Sequence, residues 1–105
     1  MNKIAFLDDG LRRTFARGKV VMTQGVASLP EETRTQVLER VRHFDEFTPN
    51  NDPHGDHDFG SFDVAGVSYF FKIDYYSPDM QSGSEDPADP EKTVRVMTIM
   101  RADEY

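Results

Sequence analysis

Residues 67–76 (VSYFFKIDYY) constrain this chain more than any other segment. Val67, Tyr69, Phe71, Ile73 and Tyr75 alternate with Ser68, Phe70, Lys72, Asp74 and Tyr76. A period of two places the first set on one face of a strand and the second set on the other. Five bulky residues on one face need a facing layer. Phe59 to Val64 precedes this run, and Ala65-Gly66 lies between the two. That spacing predicts an antiparallel hairpin. Phe70 on the second face implies partial cover there as well.

Earlier in the chain the period is helical. Ile4, Leu7, Leu11 and Phe15 recur at spacings of three and four, which predicts a helix over 2–16 with Asn2 as N-cap and Gly18 as the stop. Gly10 weakens it. Arg12, Arg13 and Arg17 fall in its last turn, where cations suit the helix dipole and solvent; an anion or carboxylate site is the alternative. Lys19 to Thr23 is a short β-branched run, read as a strand, and Gln24-Gly25 as a turn. Ser28-Leu29-Pro30-Glu31 fits a capping box opening a second helix. Val37, Leu38, Val41, Phe44 and Phe47 supply its buried stripe, and Pro49 ends it near Phe47.

A polar loop covers 48–58, and a long polar connection covers 77–92 with Pro78, Pro87 and Pro90. Thr93 to Met100 is apolar on both faces, so it is expected as a central strand. The order α-β-α-β-β-β predicts an α+β fold. Two helices pack on one face of a small antiparallel-rich sheet of about four strands. The length of 105 residues suits one domain.

Charge and composition limit function. The net charge is −7, and the two halves differ. Residues 1–50 hold 7 acidic and 8 basic side chains; residues 51–105 hold 12 and 4. An acidic surface repels phosphate, so direct binding of nucleic acid or an anionic membrane is not expected, and a protein partner with a basic surface is. With no cysteine, disulfide scaffolds and thiol chemistry are excluded. No segment reads as a membrane span or signal peptide, so a cytoplasmic location is expected.

Asp52, His54, Asp56, His57 and Asp58 are the densest set of potential ligands. Imidazole and carboxylate at this spacing suit a divalent ion, with Asp52, His54, Asp56 and Asp58 on one side of an extended segment. The alternative is a turn whose Asp side chains bond nearby amides. Lys72, Asp74 and Tyr76 share a strand face and are expected near Arg95 or Arg101. That is either a structural pairing or a nuclease-like cluster of Lys72, Tyr76 and Arg95. Ser82, Ser84 and Thr93 lack the surroundings of a nucleophile. Glu85, Asp86, Asp89 and Glu91 lie in a proline-stiffened acidic stretch, read as a docking loop for a basic surface or as a solvated linker.

Several segments occur together in order: Asn51-Asp52-Pro53-His54-Gly55-Asp56-His57-Asp58-Phe59-Gly60, then Lys72-Ile73-Asp74-Tyr75-Tyr76, then Ser84-Glu85-Asp86-Pro87-Ala88-Asp89-Pro90, then Thr93 to Met100, then Glu104-Tyr105. With the Thr23-Gln24-Gly25-Val26 turn, this order resembles a bacterial domain-of-unknown-function family, number 3768, over nearly the whole chain. Phe71 stands where the resemblance leads one to expect Trp. The resemblance implies a cytoplasmic protein of a bacterium or mobile element, and it implies no activity or catalytic residue.

The function expected from the residues is a non-enzymatic protein-binding module. Its concrete form is an inhibitor of a nucleic-acid-handling protein, of the anti-defence type, acting through the acidic C-terminal half with no cofactor. The alternative is a small enzyme, metal-dependent through Asp52–Asp58 or nuclease-like through Lys72, Tyr76 and Arg95.

Overall fold

The structure is a computed structural model that describes residues 2–105. A four-stranded sheet has the order β1-β4-β3-β2, formed by β1 (Lys19–Met22), β2 (Phe59–Val64), β3 (Val67–Tyr76) and β4 (Val94–Arg101). β2, β3 and β4 pair antiparallel, and β1 runs parallel to β4. Two substantial helices, α1 (Lys3–Thr14) and α3 (Glu31–Arg42), cover one face. A single turn of helix, α2 (Gln24–Ala27), and short 3₁₀ turns at Pro90–Lys92 and Ala102–Glu104 complete the chain. This is the α+β arrangement expected, with β4 interior to the sheet.

The predicted faces of β3 hold. Tyr69, Phe71 and Ile73 are buried with Phe62, Met97 and Ile99 against Leu11, Val37 and Val41 of the helices. On the other face, Phe70 packs against the rings of Phe59 and Tyr105 and is 7% exposed. The hairpin turns at Ala65 and Gly66, both with positive φ, the geometry that matches strand twist in a two-residue turn.

Several boundaries differ from expectation. α1 stops at Phe15, which is left-handed at φ 57 and donates its amide to Leu11 O; Gly18 is not the stop. Gly18 instead sits where a Cβ would lie 2.9 Å from Arg95 O. Gln24-Gly25 opens α2 rather than a simple turn. Ser28 donates its hydroxyl to Gln24 O, so it closes α2 and forms no capping box for α3. The Arg34 guanidinium instead donates to Ala27 O and Leu29 O, the carbonyls just before α3, and leaves its first amides uncapped by a side chain. α3 ends at Arg42, a turn before the predicted Phe47. Phe44 and Phe47 are loop residues, yet they stack edge-to-face 5.0 Å apart and still pack on the core.

Two glycines show how much the packing constrains the backbone. A Cβ at Gly60 would lie 2.5 Å from the Phe71 ring and 2.7 Å from Phe44. At Gly10, on the exposed side of α1, it would meet nothing within 4 Å. Urea unfolding should therefore separate them. Gly60→Ala is expected to cost about 1–3 kcal/mol through overpacking, and Gly10→Ala to add about 0.8–1 kcal/mol through helix propensity. Equal effects would contradict this packing.

Candidate functional site

The inward face of α1 is charged. Ala5, Asp8, Asp9, Leu11 and Arg12 are its buried residues. Of the predicted stripe only Leu11 is fully buried; Ile4, Leu7 and Phe15 are half-buried at its margins. Arg12, read from sequence as a dipole and solvent residue, is 1% exposed. Charges at such depth require partners, and each of these has them.

Asp8 is fully buried where α1 crosses the start of β4 and the end of β3. Its Oδ1 accepts from Arg95 Nε at 2.8 Å, and its Oδ2 accepts from the Tyr75 hydroxyl at 2.5 Å. The same hydroxyl lies 3.1 Å from Asp58 Oδ2. Arg95 also donates Nη2 to Pro87 O, which ties the acidic segment to the sheet. Burial pushes the Asp8 carboxyl up to about 7, against the pull of Tyr75 and Arg95. Burial likewise raises Asp58, with the neighbouring Asp56 and Asp52 adding to it. Tyr75 is raised by burial and by the facing carboxylates, so it stays a donor.

One phenolic proton cannot serve two carboxylates fully. When Asp8 is protonated the conflict is relieved, since Asp8 can then donate to the Tyr75 oxygen while Tyr75 donates to Asp58.

Asp9 anchors the second half. Its Oδ1 accepts from Arg12 Nη2 at 2.8 Å and faces His57 Nδ1 at 3.0 Å. The His57 ring stacks on Phe47 with centroids 4.0 Å apart. Arg12 Nη1 donates to Val41 O, Arg42 O and Phe44 O, closing the C-terminus of α3. Its guanidinium lies over the Phe47 and Phe71 rings.

The candidate metal ligands do not form a metal set. Asp52 accepts from the amides of Asp56 and His57, as an Asp-stabilised turn does. Asp56 accepts from the Asn2 side chain, His57 faces Asp9, and Asp58 faces Tyr75. His54 is exposed and contributes its carbonyl to Asn2. Among the described residues no three His or acidic side chains converge to hold an ion. The expected one-sided array of Asp52, His54, Asp56 and Asp58 is absent because the chain turns at 53–55, where the Gly55 amide donates to Asp52 O and Gly55 takes φ 70, and turns again at His57 with φ 60.

The nuclease-like trio is also kept apart. Arg95 is the cross-strand partner of Tyr75 and faces the helices. Lys72 and Tyr76 are of opposite parity and lie on the other side of the sheet. There Lys72 pairs with Asp74 at 2.9 Å. Arg101 pairs instead with Asp103 at 3.1 Å.

The acidic segment is ordered through its backbone. Ser84 Oγ donates to Lys92 O and lies 2.7 Å from Thr93 Oγ1, which donates to Asp86 O. Asp86 and Asp89 each accept from an amide two residues on. Glu85 lies 3.4 Å from Lys92 with its side chain 77% exposed, and Glu91 is exposed. Ser84 and Thr93 thus serve as turn ties.

The residues that sequence reasoning missed are Asp8, Asp9 and, in its polar role, Tyr75; for Arg12 a carboxylate site was the alternative reading, and Asp9 supplies that carboxylate. A signal existed: Ala5, Asp8, Asp9 and Arg12 follow the i, i+3, i+4, i+7 spacing of a buried helix face.

The upward shift of Asp8 has a consequence for stability. Its folded value lies above the unfolded value of 3.8, so its stabilising contribution is complete below about pH 4 and is lost as pH rises toward 7. Asp8→Asn carries a permanent amide donor to Tyr75 and lacks this loss. Between pH 5 and 8 its stability should rise relative to the native chain by roughly 1–4 kcal/mol. Parallel curves in urea melts across that range would contradict the raised value of Asp8.

The segments that carried the sequence resemblance converge here, contributing Asp52, His57, Asp58, Tyr75, Pro87 and Arg95 to one network. No curated protein and no solved structure matches the chain. The family described as "Protein of unknown function (DUF3768)" matches residues 22–104, and Asp8, Asp9 and Arg12 precede that span. The chain belongs to this family.

Proposed function

We propose that this protein is a non-catalytic binding module that docks its acidic segment, residues 84–91, onto a basic surface of a nucleic-acid-handling protein and thereby blocks it. The observation that carries this reading is the pinned acidic segment. Its backbone is held by Ser84, Thr93 and the buried Arg95, while the Glu85 and Glu91 carboxylates stay in solvent. A pre-ordered loop loses less entropy on binding, and its charge steers a basic partner. An open notch of about 380 Å³ lined by Ser77, Pro78, Ser82, Gly83, Glu85 and Lys92 adjoins the segment and offers room for a partner side chain. The charged groups of the α1 network, by contrast, are spent on one another inside the fold. Net acidity argues against direct contact with phosphate backbones.

The test is affinity capture from bacterial lysate at low and moderate salt, with the retained proteins identified and their association rates measured. A basic nucleic-acid-handling protein should be retained stoichiometrically. Neutralising Glu85, Asp86, Asp89 and Glu91 to Gln or Asn should slow association about tenfold and flatten its salt dependence. Asp86 and Asp89 also bond local amides, so Glu85→Gln with Glu91→Gln provides the variant that leaves the loop intact. Unchanged rates in both variants would refute the docking role of the segment.

A further inference from the structure

β1 ends the sheet on one side, and its outer edge is unpaired among the described residues. The Thr23 amide donates to Ile99 O on β4. Backbone groups alternate direction along a strand, so Lys19, Val21 and Thr23 turn theirs to β4, and Val20 and Met22 turn theirs outward. This edge carries no proline, and Val21 and Met22 are 46% and 40% exposed. Natural edges are commonly blunted by charge, proline or cover. Here the one charged residue of the strand, Lys19, lies at its start.

We propose that β1 pairs antiparallel with β1 of a second copy of this chain, with Val21 on the two-fold axis. The register follows from the strand itself. Residues directly opposite in an antiparallel pair must share a sheet face. Setting Val21 against the partner's Val21 puts Val20 opposite the partner's Met22, so the two residues with free backbone groups satisfy each other, once on each side of the axis. The two sheets then join into one, with the helices of both copies on the same side.

Charge fits this register. Lys19 falls opposite the partner's Thr23. The Thr23 hydroxyl lies 2.6 Å from Glu104 Oε1, and the Glu104 carboxylate also accepts from the Gly25 amide, which fixes it at that end of β1. The Lys19 ammonium of each copy therefore meets the exposed Glu104 of the other. The interaction occurs twice by symmetry, as an isologous interface requires.

The native chain has no cysteine, so one introduced thiol can pair only with another copy. Opposed residues of a non-hydrogen-bonded antiparallel pair have Cα atoms about 4.5 Å apart, within disulfide range. Sedimentation equilibrium of the full chain should show a monomer–dimer equilibrium, and Lys19→Glu should raise its dissociation constant at least about fivefold. Under mild oxidation Val21→Cys should form covalent dimer at least about tenfold faster than Gln36→Cys, placed on the exposed side of α3. Circular dichroism of each variant checks that the fold is kept. A chain that stays monomeric at every concentration overturns the proposal. So does a dimer in which Val21→Cys cross-links no faster than Gln36→Cys, since that dimer would use another face.

Discussion

A carboxylate buried away from water must be surrounded by donors, and Asp8 fixes where three elements of this fold meet. It takes one hydrogen bond from Arg95 on β4 and one from Tyr75 on β3, so it locks α1 across two neighbouring strands. Through Arg95 the same contact reaches Pro87, and through Tyr75 it reaches Asp58. The two long loops of the chain, 43–58 and 77–93, are thus both tied to one buried acid. Removing one partner from such a set would leave an uncompensated charge, which costs more than the pair itself contributes. The network therefore specifies arrangement more than it adds stability.

Asp9 and Arg12 extend the same logic to α3. That helix has no glycine at its end and no side-chain cap at its start. Its last carbonyls are satisfied by the Arg12 guanidinium, which reaches from the neighbouring helix. The bond to Phe44 O also explains how a stretch without regular structure keeps Phe44 in the core. Phe47 in turn forms the stacking surface for His57 and a face for Arg12. Aromatic rings and cations alternate across this region, so apolar packing and polar satisfaction reinforce each other.

Much of the fold was legible because strand periodicity is strict. Val67–Tyr76 declared its two faces, and the Ala65-Gly66 turn declared its hairpin. Helix boundaries were less legible. Ser28 and Glu31 have capping-box spacing, but α2 claims the Ser28 hydroxyl first. Phe44 and Phe47 continue the apolar stripe of α3 in spacing while leaving the helix in conformation. Hydrophobic pattern reports what is buried, and it does not report which backbone carries it there.

The candidate site divides along the same line. Local sequence alone indicated a turn rich in Asp and His at 52–58 and an acidic, proline-stiffened segment at 84–91, because short-range side-chain-to-amide bonds and charge are properties of neighbouring residues. Sheet parity, set by the registers of β3 and β4, decided that Arg95 faces α1 while Lys72 and Tyr76 face away. Packing also decided that Asp8, Asp9 and Arg12 turn inward, which a helical stripe of Ile4, Leu7, Leu11 and Phe15 did not foretell. Whether a charge is buried depends on partners distant in sequence, here 48 to 87 residues away for His57, Tyr75 and Arg95. Sequence sets the periodicity and charge of each segment; only the assembled sheet determines which of those charges meet.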